Sequence, residues 1–190
     1  MMSYRPIAPA ANHPVTLAAA KEFLRVLHDD EDATITSLIA AATSYAEAMT
    51  GRLLCEQSWE LLLDAFSDTI PIEKGPVRSI VSVTYYDEAE ALQTVDPANY
   101  AFDAAADPQW LVRATDYSWP ATAPGINNVI IRFTAGYQED DPQLDAVRLA
   151  ILLLVSHWFR NREAVAVGAG ANEIPLGVDA LLRPLRTYYL

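Results

Sequence analysis

The chain has 190 residues, enough for one core of ordinary size with an inserted subdomain, and its 52% hydrophobic content argues against disorder. Acidic residues outnumber basic ones 25 to 13, for a net charge of -12 and a pI near 4.5. Such a surface repels duplex DNA, whose binders displace phosphate counterions with Lys and Arg. Only Lys21 and Lys74 are lysines, and every other basic residue is Arg, the side chain suited to packed, bidentate protein contacts.

Residues 1–14 read as an extended Pro- and Ala-rich arm, broken by Pro6, Pro9 and Pro14 and without the apolar core of a signal peptide. Synthesis and retention in a cytoplasm are therefore expected. Thr16 is placed to cap a helix over 16–27, with Leu17, Ala20, Leu24 and Leu27 at helical spacing and Phe23 widening the stripe. Asp29, Asp30, Glu31 and Asp32 then gather where the dipole of a second helix, 31–50, favours carboxylates. Its apolar face is Ile35, Leu38, Ile39, Ala42, Tyr45, Ala46 and Met49, and Gly51 supplies a left-handed stop.

The period then falls from 3.6 to 2. Trp59–Leu63, Ser79–Tyr86 and Asn128–Thr134 read as strands, with shorter candidates at Thr69–Ile72, Ala91–Val95, Tyr100–Phe102 and Trp110–Arg113. Prolines 71, 76, 97, 108, 120 and 124 punctuate them as turns or edges. Helix returns over 142–162, with Asp141 as cap, Pro142 at the first position, and Leu144, Val147, Ile151, Leu154 and Trp158 as the buried stripe. This helix is apolar almost all round. Its longest apolar run, Ala150–Val155, is nonetheless far short of the roughly 20 residues that span a bilayer, so no membrane partner is expected. The Gly-rich stretch 167–172 follows a helix and lacks the Lys-Ser or Lys-Thr of a phosphate loop, which makes it a connector. A short helical segment closes the chain within Ile174–Leu185.

No constellation for catalysis stands out. The run Asp29–Asp32 lacks the spaced ligands and central Gly of a calcium loop, and His13, His28 and His157 share no metal-ligand spacing. Cys55 stands alone and reads as a small buried hydrophobe. Trp59, Trp110, Trp119 and Trp158 suit core or interface anchoring better than a sugar platform. Catalytic, metal and cofactor sites are therefore all expected to be absent.

Four blocks carry a resemblance. They are VTLAAAKEFLRV at Val15–Val26 with the acidic run behind it; IAAATSYAEAMTGR at Ile39–Arg52; IRFTAGY at Ile131–Tyr137; and Ala150–Glu163 with IPLGVDALL at Ile174–Leu182. In this order and spacing the chain resembles the head-tail connector, or adaptor, proteins of tailed phages, prophages and gene transfer agents, in the branch with a β insertion between its helical halves.

The resemblance implies an α+β fold: a helical connector domain of 15–54 and 137–184, an inserted antiparallel β subdomain of 55–136, an N-terminal arm of 1–14 and a tail of 185–190. It implies a structural virion protein at the capsid vertex. There it would form a twelve-fold homo-oligomeric ring under the portal protein, extend the DNA channel without sequence-specific binding, and dock the stopper or tail-completion protein. Arg183, Leu185, Arg186, Tyr188, Tyr189 and Leu190 are the expected portal contacts, and Asp29, Asp30, Glu31 and Asp32 the expected channel-facing acids. The alternatives are a DNA-packaging or DNA-binding phage protein and a phage-encoded carbohydrate-active enzyme.

Overall fold

A computed structural model describes residues 2–8, 10, 12–161 and 176–187. The fold is α+β, divided into a helical unit, Asn12–Cys55 with the described residues from Tyr137 on, and a β unit, the N-terminal strand with Glu56–Gly136. The Gly-rich stretch 167–172 and Tyr188, Tyr189 and Leu190 lie outside the described residues.

The helical unit consists of α1 (Leu17–Leu24), α2 (Asp32–Thr50), α3 (Leu144–Arg160) and α4 (Leu176–Leu182). Ile35, Ile39, Ala42 and Ala46 of α2 recur at the helical period and join Val147, Ala150, Ile151 and Leu154 of α3 in one buried cluster, with Val178 and Leu182 of α4. Ala42, Ala46 and Ala150 are fully buried within it. Half-buried Leu152 and Leu153 pack at the margin of the cluster, and only Leu149 of α3 is an exposed large hydrophobe, which accounts for the helix's apolar circumference. Two threonines fall within the buried face of α2. Each satisfies its hydroxyl by donating to a carbonyl one turn back, Thr43 to Ile39 and Thr50 to Ala46, both at 2.8 Å.

Two helix ends differ from expectation. Thr16 caps α1 as read, accepting from the Ala19 N–H at 3.2 Å, but the helix stops at Leu24. Arg25 there adopts a left-handed φ of 59°, its N–H donating to the Glu22 carbonyl while the Val26 N–H donates to that of Lys21. This paired C-terminal motif turns the chain early and leaves Leu27 97% exposed rather than on the buried stripe. Likewise, the Asp141 carboxylate accepts from the Gln143 N–H at 2.9 Å in a turn that precedes the helix, and α3 begins at Leu144.

The β unit holds a five-stranded antiparallel sheet in the order β1-β2-β8-β4-β5: β1 (Met2–Ala8), β2 (Gln57–Leu63), β8 (Val129–Ala135), β4 (Val77–Tyr86) and β5 (Leu92–Thr94). A second sheet runs β3-β7-β6: β3 (Thr69–Ile72), β7 (Gln109–Arg113) and β6 (Tyr100–Asp103). Alternation places Leu61, Val83, Ile131 and Phe133 on the buried face of the large sheet, and Ile70, Ile72 and Leu111 supply the buried side chains of the small one. Gln109 ties the sheets through both ends of its amide, accepting from the Val77 N–H and donating to the Val77 carbonyl at 3.1 Å. The segment expected as an extended arm is instead a strand: Met2–Ala8 pairs along β2 from Met2↔Leu63 to Ala8↔Ser58.

Gly51 ends α2 at φ 71°, and a Cβ there would stand 2.5 Å from the Thr187 hydroxyl. Gly177, within α4, has open space around it. Gly51→Ala should therefore lower stability by about 1 kcal/mol or more, whereas Gly177→Ala should raise it by roughly 0.5–1 kcal/mol. Urea unfolding of the two variants beside the parent checks both signs.

Candidate functional site

Three polar surfaces stand out, and the first is the turn between α1 and α2. Because α1 ends at Leu24, Lys21 reaches back across the turn, its Nζ 2.6 Å from both the Asp29 and Asp32 carboxylates. The Lys21 hydrogen bond holds the Asp29 carboxyl below its ordinary range and raises the lysine in turn. Asp30 lies 3.4 Å from His28 Nδ1, and Glu31 precedes α2 without capping it through its side chain. The expected acidic cluster thus divides. The side chains of Asp29 and Asp30 are about nine-tenths exposed, whereas that of Asp32, which shares Lys21 with Asp29, is one-third exposed.

The second surface is the C-terminal segment. Arg183 pairs with Asp179 at 3.0 Å and is exposed. Leu185 packs against the helical cluster, and its carbonyl accepts from Arg52 Nε at 2.9 Å. Thr187 donates its N–H (2.9 Å) and its hydroxyl (3.2 Å) to the Thr50 carbonyl at the end of α2. Residues 185–187 are therefore fastened to the helical unit, with Arg186 exposed between them.

Sequence reasoning missed the third. Arg5 of β1, Glu60 of β2 and Arg132 of β8 are cross-strand partners in one row. Glu60, only 4% exposed, accepts on Oε1 from Arg132 Nε (3.2 Å) and Nη2 (2.7 Å), and on Oε2 from Arg5 Nε (2.9 Å) and Nη2. Burial pushes its carboxyl up, but the hydrogen bonds and charges of the two arginines outweigh that and hold it below the ordinary glutamate range. The one signal in sequence was a lone acid inside the apolar strand Trp59–Leu63.

The other candidates are structural in setting. Cys55 is partly rather than fully buried, and burial pushes its thiol up to about 11. Trp119 stacks on Phe66 at 4.4 Å, and Trp158 meets Tyr45 edge-on. Among the described residues no group of three His, Cys, Asp or Glu side chains is placed to hold a metal ion, and no helix is long and apolar enough to cross a membrane.

Residues 14–107, from the loop before α1 to the loop after β6, match the model of the phage gp6-like head-tail connector protein family. The chain belongs to this head-tail connector family. Its fold is shared by a chain in the neck of an empty gene transfer agent particle computed with C6 symmetry, at TM-score 0.78 and 24% identity over 99% of this chain and 97% of that one. A chain from the virion of a native gene transfer agent particle gives 0.76 and 23% over 98% and 96%. A third, from the neck of a native particle computed with C12 symmetry, gives 0.71 and 23% over 99% and 97%. No curated protein matches the chain in sequence. Family and fold give this connector a structural role.

The Glu60 row predicts an acid limit. A carboxyl whose folded-state pKa is depressed adds stability above its unfolded value, about 4.3, and loses it as pH falls through the folded one. Parent protein should therefore lose stability on acidification below about pH 4.3, and Glu60→Gln should flatten the profile in that window. Melting temperature against pH tests it.

Proposed function

We propose that this connector forms a ring, twelve-fold as in the C12 particle neck, beneath the portal at the capsid vertex. The ring extends the DNA channel and presents a platform to the stopper or tail-completion protein. The observation that carries this reading is the pairing of the family match with a fold shared end to end with chains of gene transfer agent necks. The charge supports it: a wall of net negative sign repels the passing duplex, whereas each attractive phosphate contact would retard it. Asp29 and Asp30, the most exposed carboxylates of the acidic turn, are the acids assigned to the channel, with Glu31 and Asp32 behind them.

The C-terminal segment is assigned to the portal. Arg183 and Arg186 are exposed, and in sequence Tyr188, Tyr189 and Leu190 continue a segment rich in residue types enriched at interface hot spots. Leu185 contributes by fixing the segment's departure from α2.

Particles made without this protein should accumulate as filled heads that carry no tails, and electron microscopy of complete particles should show its density between portal and tail. Tailed, infectious particles formed in its absence overturn the reading. Arg183→Glu combined with Arg186→Glu should leave the melting curve within a few degrees of the parent while abolishing incorporation into portal-bearing heads. Normal incorporation removes the portal assignment. Asp29→Lys with Asp30→Lys should slow DNA ejection and make its rate more salt-dependent, as measured by dye release from single particles.

A further inference from the structure

On the four neighbouring strands β1, β2, β8 and β4, one face of the large sheet is almost free of carboxylates. Its central row is Arg5, Glu60, Arg132 and Ser82, in register. The rows on either side are Ser3, Leu62, Ile130 and Thr84, and then Ser58, Thr134 and Ser79, the last two sharing a hydroxyl contact of 2.7 Å. The remaining charged residue of these strands, Arg78, pairs with Glu56 at 3.5 Å. Glu60 is the one acid here, and four N–H groups already occupy it beneath the arginines.

The row carries one net positive charge on a chain of net -12. The Arg5 and Arg132 side chains are 60% and 50% exposed, and three of each guanidinium's five N–H donors remain after Glu60 is served. Glu60 also fixes both guanidinium planes. A planar fork held in place loses little entropy on meeting a second carboxylate.

Resting on the ring reading above, we propose that this sheet face seats the adjacent copy of the chain. Arg5 and Arg132 there receive a carboxylate-bearing surface of that copy. A closed ring is built from head-to-tail contacts, so each subunit needs two different, complementary patches. A chain with 25 acidic residues presents carboxylates on every copy, and the arginine row is the complementary patch. Opposite potentials speed the encounter and fix the register between copies. Duplex DNA is a poorer occupant, since one net positive charge offers a phosphate backbone little against the repulsion of the whole chain.

Electron cryo-microscopy of the neck in complete particles is the deciding measurement. The expected result is a ring in which Arg5 and Arg132 lie within about 4 Å of carboxylates of the adjacent copy. A ring whose arginine face lines the channel against DNA, or lies open to solvent, overturns the proposal and leaves the ring reading standing. A neck without a ring of this chain overturns both. In parallel, Arg5→Thr/Glu60→Thr/Arg132→Thr removes the row without stranding a buried carboxylate. It should retain the parent's circular dichroism and enter particles at least about tenfold less well. Incorporation at the parent level counts against the proposal, and the particle structure decides even where the triple variant fails to fold.

Discussion

The pairing of β2 with β8 is the constraint on which the rest of the molecule depends. Gln57 and Ala135 are cross-strand partners, so the chain enters and leaves the 56–136 insertion through neighbouring strands. The helical unit thereby meets the insertion as a loop whose ends are already joined. The entropy of closing such a loop grows slowly, by roughly 0.6 kcal/mol per doubling of length, so a whole subdomain fits where a short turn would serve. That closure is what leaves α2 and α3, far apart in sequence, free to bury one face between them. The same two strands hold Glu60 and Arg132, so the pairing also builds the charged row.

Charge is used in opposite ways in the two units. In the helical unit one lysine bridges Asp29 and Asp32 of an acidic turn, and the outer carboxylates Asp29 and Asp30 stay exposed. In the β unit one glutamate is covered by two arginines, and the positive sign projects instead. Each arrangement follows from how many partners the central group can satisfy. An ammonium with three donors serves two carboxylates, and a carboxylate with two oxygens serves two guanidinium forks. An acidic chain thus exposes surfaces of both signs.

Most elements were legible in the sequence because their periods are strong. The β-branched alternation of 79–86 and 128–134 and the apolar recurrence along α2 and α3 each produced the expected element within two residues. What failed did so for definable reasons. β1 contains Pro6 and little β propensity; it forms because the open edge of β2 offers it a ladder, and an edge tolerates proline. The α1 stripe continued on paper to Leu27, but a left-handed Arg25 that no propensity favours ends the helix three residues sooner. The charged row was hidden more deeply, since its partners lie 55 and 72 residues apart and meet only through strand register. The C-terminal segment read as a tail for portal contact, and its anchoring to the helical unit was hidden because the anchors are mainly carbonyls, of Thr50 and Leu185, which carry no signature in sequence.

The adjacency of Gln57 and Ala135 also has a mechanical side. Tension that draws the β unit away from Cys55 and Tyr137 pulls β2 and β8 from the same end. An antiparallel pair loaded in that way parts like a zipper, one cross-strand pair at a time, rather than resisting in shear along its full length. The first pair to carry the load is Gln57–Ala135, and Glu60–Arg132 is the fourth. A multidentate ion pair three residues inside the opening end acts as a stop on that zipper. Its position sets how far the stem can part under a pull before the sheet resists in earnest.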